Sequence, residues 1–345
     1  MAEGTVPSPL RSSVALATPS SAYLRLEGDD VFEVVDRLVT TDLYLQEAQL
    51  RQSLILDDEG LIVADVIVGR DEDAYLLVID GPSRQRSAEL VAAHLEGTGT
   101  KATLLHESHD VCALHGPYAW ELLGEWLGPD VIGLPYLSLF RASGALVLRT
   151  GRTGEYGYDI LMPRDRCEAL RADLERRGGT FDLGVASEEE VHLAALENGF
   201  FNVAREGQRV RDPLQLQLKW RLSKEKEYRG SGAVRARWEP GPSRRVVWLR
   251  SDAGLEIGDA IELEGVAIGE VVAAAYSTIR GYHLGIAAID RSLSCAGIHG
   301  YQRVRAGERA PVVTLAPPVL NNLSLHVSPQ RHSYRDRASF VFPSP

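Results

Sequence analysis

From residue 23 onward, short apolar runs alternate with segments whose apolar residues recur at helical spacing. YLRLEG at 23–28 reads as a strand. DDVFEVVDRLVTTDL at 29–43 reads as a helix, its acidic start suited to the positive end of a helix dipole. SLILDDEG, LIVADVIVGRDED and AYLLVID follow as consecutive strands joined by short acidic or glycine turns. Residues 83–96 read as a helix, ATLLHE and VCALHG as strands, and 118–126 as a further helix. Connections this short cannot hold crossover helices, so the strands are expected to pair largely antiparallel in an α+β fold.

The pattern continues with LVLRTGRTGEYGYDILMP, a hairpin with a glycine-rich centre, and a helix over 164–177. Residues 187–198 form another predicted helix, in which Ser187 and Glu190 can make a capping box and Gly199 can end the last turn. Residues 229–245 hold five Gly or Pro, which places a domain boundary near 240. Beyond it, RRVVWLRS, GDAIELEG, VAIGEVVAAA, YHLGIAAID and APVVTLA are short strands at regular spacing, the pattern of a small β-barrel or sandwich. The expected division is a flexible lead-in (1–22), an α+β region of two intertwined subdomains (23–240), a C-terminal β-barrel (241–327) and a loose tail (328–345).

Composition narrows the functional classes. The chain has 345 residues and a formal net charge of −11, with 37 Lys and Arg against 48 Asp and Glu. That balance argues against nucleic acid as the main partner, since displacing counterions from phosphates takes a concentrated basic surface. No run approaches the roughly 20 apolar residues of a membrane span, and the opening segment is a poor signal peptide. Three scattered cysteines, Cys112, Cys167 and Cys295, make neither a disulfide framework nor a zinc site and suit a reducing, cytoplasmic setting. His106 and His109 in HESH lack an evident third ligand, so no metal is expected. The expected partner is a small molecule; nothing in the sequence speaks to oligomeric state.

Seven segments, in order, resemble the folate-dependent aminomethyltransferase family (the glycine-cleavage T-protein fold). LEGDD with RLVTTD resembles that family's opening strand and LxxLxTND helix, GLIVADVIV its GGxxDDLIV strand, and LHGP its LQGP turn. TGRTGEYGYDI is similar to TGYTGEDGFEI, LENG to LEAG, and 213–230, with Trp220, Lys224, Tyr228 and Gly230, to PxEAxLxWxVxxxKxDFxG. Gly258, Gly265, Gly269 and Ser277 recur as in the family's last domain. The resemblance implies a three-domain cloverleaf around a central channel and one-carbon transfer between tetrahydrofolate and a small, specialised substrate.

Asp65 stands in the apolar run LIVADVIV, where an unpaired carboxylate would cost several kcal/mol. Either it satisfies a backbone donor at a sheet edge, or the strand lines a cavity and Asp65 points at a ligand amine. The resemblance implies the second: Asp65 matches the later Asp of the family's pair, the acid beside the folate's reacting edge, while Ala64 takes the earlier place on the opposite strand face. Asp159 matches the Glu implied to hold the pterin's amino-pyrimidine edge. Asp80 replaces an Asn, and Glu155, Tyr158 and Trp220 lie within the matching motifs, so these four are also expected to contact the cofactor. Val191 and Ala195 stand where the family has Arg, one of which is implied to meet the folate's anionic side. His115 and His192 replace the usual residues, as substrate-specific groups or satisfied histidines, and Arg205, Arg209 and Arg211 either receive a carboxylate or line a solvated loop. Two other functions remain: a folate-free enzyme on the same fold, and a non-catalytic folate-binding assembly factor. The Cys-containing KGCYxGQE segment of the latter has no counterpart in KEYRGS at 226–231.

Overall fold

A computed structural model describes residues 8–343. Two open sheets and a closed barrel account for its strands. The first sheet has five strands, β2 (Ala22–Glu27), β3 (Leu50–Leu56), β4 (Ile62–Asp71), β5 (Ala74–Asp80) and β6 (Lys101–Leu104), in the order β3-β4-β5-β2-β6 and antiparallel throughout. The second has six: β1 (Ala15–Ala17), β7 (His109–His115), β8 (Leu139–Ala142), β9 (Ala145–Leu148), β10 (Gly157–Pro163) and β11 (Gly184–Val185), in the order β11-β1-β7-β10-β9-β8. The chain thus begins in the second sheet, leaves it for the first and returns. No helix among the described residues is long and apolar enough to cross a membrane.

Each sheet covers its outer face with helices, following the period-two alternation of its strands. Ala64, Val66 and Val68 of β4 pack with Leu77 and Ile79 of β5 under helix α2 (Val31–Leu38), while α3 (Arg84–Ala92) adds Val91. Cys112 and Leu114 of β7 and Tyr158, Ile160 and Met162 of β10 pack under α4 (Ala119–Leu127) and α5 (Arg164–Gly178). The inner faces meet each other: Tyr23, Ile67, Leu76 and Val78 from one sheet lie against Val111, Leu146, Leu148 and Leu161 from the other. Beyond helices α6 (Glu188–Glu197) and α7 (Ser231–Trp238), strands β12 (Arg244–Ser251), β13 (Ala260–Leu263), β14 (Val266–Ser277), β15 (Tyr282–Asp290), β16 (Tyr301–Arg305) and β17 (Glu308–Leu315) close a barrel. The α+β architecture with a C-terminal barrel is therefore as the sequence pattern predicts, and so is the capping box of α6, where Ser187 Oγ accepts from Glu190 N (3.2 Å) and Glu190 Oε2 from Ser187 N (2.8 Å).

Both expected loose ends need correction within the described residues. Residues 1–7 of the lead-in and 344–345 of the tail lie outside them. Residues 9–12 form a short helix, α1 (Pro9–Ser12), and β1 enters the middle of the second sheet between β11 and β7. Leu10 and Val14 are buried. Three strand residues carry no readable periodicity, and only their partners far along the chain supply the burial. Arg11, 6% exposed, joins three distant segments: its Nη1 donates to Thr153 O (2.9 Å) and Asn322 Oδ1 (2.7 Å), its Nη2 to Glu197 Oε2 (2.6 Å), and Glu155 Oε1 lies 3.5 Å away. Ser277 of the barrel donates to the other oxygen of Glu197 (2.7 Å). In the tail, Tyr334 is buried against Tyr118 and Phe181, and Glu121 accepts from Ser333 Oγ (2.5 Å) and Tyr334 N (2.7 Å).

Removing Arg11 strands two buried carboxylates. Arg11→Ala is expected to lower the unfolding free energy by about 3–5 kcal/mol. Denaturant titration checks this, and a midpoint equal to that of the unaltered protein would show that these segments hold together without it.

Candidate functional site

At one end of the sheet–sheet interface the inward-facing positions turn from apolar to polar. Asp65 and Asp80 sit opposite each other on β4 and β5, and Asp159 extends the inner face of β10 beyond Leu161. A cavity of about 170 Å³ opens here, walled by Asp80, His115, Thr150, Arg152 and Asp159, by the segment Ala17–Ser21, and by Val191, His192, Phe200, Phe201 and Val203 on and after α6. Two glycines bring its floor together. A Cβ on Gly157 would meet Gly151 Cα at 2.4 Å, and one on Gly151 would meet Gly157 Cα at 2.6 Å, so the loop before β10 can cross over its own strand only without side chains there.

The partners of Asp65 are two guanidiniums, where the sequence reading offers a backbone donor or, for a catalytic Asp65, a ligand amine. Its Oδ2 accepts from Arg221 Nη1 (2.8 Å) and lies 3.4 Å from Arg152 Nη1; Oδ1 has no partner. Asp65 itself lines neither of the two cavities beside it. Arg152 lines the first, and Arg221 lines a second, larger one of about 610 Å³ together with Gln52, Tyr136, Trp220 and Trp248, so the carboxylate lies in the wall between them. Arg152 Nη1 also reaches Asp80 Oδ2 (2.8 Å), and Ser21 Oγ donates to Asp80 Oδ1. Burial works against the Arg152 charge, but Asp65 and Asp80 outweigh it and raise its pKa further. The result is a chain of alternating charges, Asp80–Arg152–Asp65–Arg221, whose formal sum is zero.

Asp159 stands apart from that chain. Burial pushes its pKa up to about 6, against the hydrogen bond that Thr150 Oγ1 donates to Oδ2 (2.7 Å). Tyr23 lies behind it, its phenol held protonated by burial and by the neighbouring charges of Asp159 and Asp80. Burial lowers the His115 pKa to about 4, so that ring is neutral at pH 7, with Nδ1 unpartnered. On the facing wall His192 Nε2 lies 3.3 Å from Glu206 Oε1.

Three expected cofactor contacts do not reach this cavity. Tyr158 points to the opposite face of β10, into the core under α4, because strand alternation forbids it and Asp159 from sharing a side. Glu155 is turned to the stretch after the barrel, accepting from Ser324 N (2.8 Å), Ser324 Oγ (2.5 Å) and Leu323 N (3.2 Å) beside Arg11. Trp220 is 64% exposed, its ring under the Arg221 guanidinium at the rim of the second cavity. Arg205 is taken up by Glu188 and Glu189, Arg211 by Asp57, and Arg209 lies 3.8 Å from Glu270. His106 Nε2 meets Ser21 O (3.1 Å), and His109 Nδ1 meets Ser108 Oγ (2.8 Å). Arg152 escaped attention although it stands where the motif TGYTGEDGFEI has Tyr, a departure visible in the sequence. Glu206 carries no such signal; only its tertiary burial sets it apart.

The family model described as the GCVT N-terminal domain matches residues 10–226. Over 308 residues the chain is 24% identical to an aminomethyltransferase of Flavobacterium psychrophilum, covering 85% of this chain and 84% of that protein. It is 28% identical, with the same coverage, to a probable aminomethyltransferase of Natronomonas pharaonis. The fold superposes on the glycine cleavage system aminomethyltransferase T from Bartonella henselae with a TM-score of 0.79 at 21% identity, over 91% of this chain and 88% of that one.

The paired state of Asp65 makes it a stability residue. Asp65→Asn is expected to lower the unfolding free energy by about 3 kcal/mol, because it leaves the Arg221 charge buried without its counter-ion. Adding Arg221→Gln should recover part of that loss in a double-mutant cycle. Strict additivity of the two losses would show the pair to be incidental.

Proposed function

This chain belongs to the GCVT family, and from that premise we propose that it transfers a one-carbon unit between tetrahydrofolate and a small amine-bearing substrate in the cavity between the two sheets. The family is a folate-dependent class of one-carbon transferases, and the named relatives are aminomethyltransferases. The single observation that carries the finer reading is Asp159, a carboxyl at the inner end of a cavity whose other walls offer Ile67, Val78, Val191, Phe200 and Phe201 as apolar faces. A flat ring with adjacent N–H donors on one edge fits that combination: its faces are covered by hydrocarbon and its edge meets a carboxylate. The donor set therefore fits a pterin, with Asp159 and Thr150 holding the amino-pyrimidine edge and Asp80 further along the same wall. Bound there, tetrahydrofolate supplies the nitrogen that takes up or gives out the one-carbon unit.

The protein's own part is to bind, orient and keep the charges balanced. Asp159 must be ionised to accept two hydrogen bonds, and above pH 6 it largely is. In this reading Asp65 acts as a positioning residue: it fixes Arg152 against one cavity and Arg221 against the other, so the polar wall presents hydrogen-bond donors without net charge. Val191 and Ala195 leave the α6 wall without a cation, so the anionic end of a folate has to find its contacts elsewhere.

Calorimetric titration of the protein with tetrahydrofolate tests the proposal. A dissociation constant between micromolar and sub-millimolar, equivalent to about 5–8 kcal/mol, is expected. Affinity should fall as pH drops below about 6, where Asp159 takes up its proton. Asp159→Ala should cost roughly 1–3 kcal/mol of binding and abolish that pH dependence. No heat at millimolar folate would leave the folate-free enzyme as the better reading.

A further inference from the structure

One buried acid behind the cavity-lining His192 has no part in the scheme so far. Glu206 is 1% exposed, and its Oε1 lies 3.3 Å from His192 Nε2. Its Oε2 accepts from Asn202 N at 2.6 Å, which fixes the carboxyl in place, and Oε1 is turned to His192 Nε2 without a settled hydrogen bond. His192 is on α6, one turn past the capping box, and its ring lines the cavity. Nε2 is the ring nitrogen next to Glu206, and Nδ1 is buried without a partner. A cavity-lining ring with a fixed carboxyl beside one nitrogen and no partner on the other can pass a proton between a ligand and that carboxyl.

We propose that His192 and Glu206 form the proton-exchanging site for the substrate's amine, a primary or secondary ammonium group, with His192 touching the substrate and Glu206 acting through it. This rests on the cavity being the transfer site named above. The need for such a site follows from Asp65, which is buried, lines neither cavity and has its Oδ2 held by Arg221 and near Arg152. In the proposed step, the N–H bond of the ammonium breaks, its electron pair stays on nitrogen, and the proton goes to the lone pair of Nδ1. The Nε2 proton moves to the Glu206 carboxylate at the same time, so the ring ends neutral and the acid protonated. The reverse returns the proton to a departing amine. No oxidant or further reactant is needed.

The electrostatics agree with this geometry. Burial raises the Glu206 pKa to about 7, and burial lowers that of His192, so the pair carries one exchangeable proton near neutrality. Glu188 and Glu189, earlier on α6, favour the charged ring, while Arg205 opposes it and is itself bound by both of them. Across the cavity stand His115, Arg152, Asp80 and Asp159.

Methylamine titrated into the full-length protein, carrying ¹³C-labelled histidine, tests the site without any folate. The His192 ring signal, assigned by its loss in His192→Gln, should shift with methylamine and show a titration step near pH 7. Glu206→Gln, which keeps an acceptor for Asn202 N, should remove that step. In turnover assays His192→Gln should lose on the order of 10²-fold in rate and the rising limb near pH 7, with folate binding and melting temperature unchanged. An unmoved His192 signal, or a His192→Gln pH profile equal to that of the unaltered protein, overturns the proposal. If His192→Gln does not fold, comparing the unaltered protein with Glu206→Gln by NMR still decides it. A methylamine response without folate binding would sink the folate reading alone. Folate-dependent turnover with an unaltered His192→Gln profile would sink only the proton site.

Discussion

One guanidinium ties the second sheet to α6 and to the stretch after the barrel. Arg11 comes from a segment that precedes every strand, and it meets the loop before β10, the end of α6 and the stretch after the barrel within one desolvated cluster. Glu197 binds Arg11 with one oxygen and Ser277 of the barrel with the other, so the barrel's position is read directly off α6. A planar fork with five donors in a fixed geometry suits such a junction, and a lysine in its place would leave most of these acceptors unmet. The cavity depends on this junction because α6 and the loop carrying Arg152 form two of its walls.

The second constraint is strand alternation across the sheet–sheet interface. It sends Val66 and Val68 outward and Asp65 and Ile67 inward, and on the opposing sheet it sends Tyr158 outward and Asp159 inward. A purely apolar inner face would have filled this space with side chains. Here the apolar inner layer stops, and three carboxylates and two guanidiniums follow it. Their charges are affordable below the surface only in alternation, since burying an uncompensated charge costs several kcal/mol. Asp159 lies outside that alternation, and its raised pKa is the consequence.

How much of this the sequence discloses depends on the range of the interaction. Elements built from local signals are readable: helices α2 to α6, the Ser187–Glu190 cap, the hairpin around the glycine-rich loop and five of the six barrel strands, while α7 and β16 are not among them. The short N-terminal strand is not, because three residues have no period and their burial comes from β7 and β11, about a hundred or more residues away. The tail fails for the same reason, since Tyr334 and Phe342 pack against a core built from distant segments. Among site residues, Asp159 and Asp80 fall where the motifs suggest, on the cavity wall. Glu155 and Tyr158 sit in the same motif and serve the core instead. A motif names a loop, but the face on which each side chain emerges is set by register.

The two arginines that flank Asp65 also bear on how such a fold changes its chemistry. In TGRTGEYGYDI the third residue is Arg152, where the family motif has an uncharged Tyr, and its guanidinium reaches Asp65 and Asp80 together. Adding one positive charge between two carboxylates removes most of the field they exert on the cavity, because each is now opposed at under 4 Å in a poorly screened interior. A cationic ligand is then drawn less toward β4 and more toward whatever acid remains unopposed. Asp159 on the cavity wall and Glu206 behind the cavity-lining His192 stand outside that chain of charges, and burial raises the pKa of both toward neutrality. Proton traffic at neutral pH is easiest for groups that hold their proton loosely, and burial brings Asp159 and Glu206 toward that range.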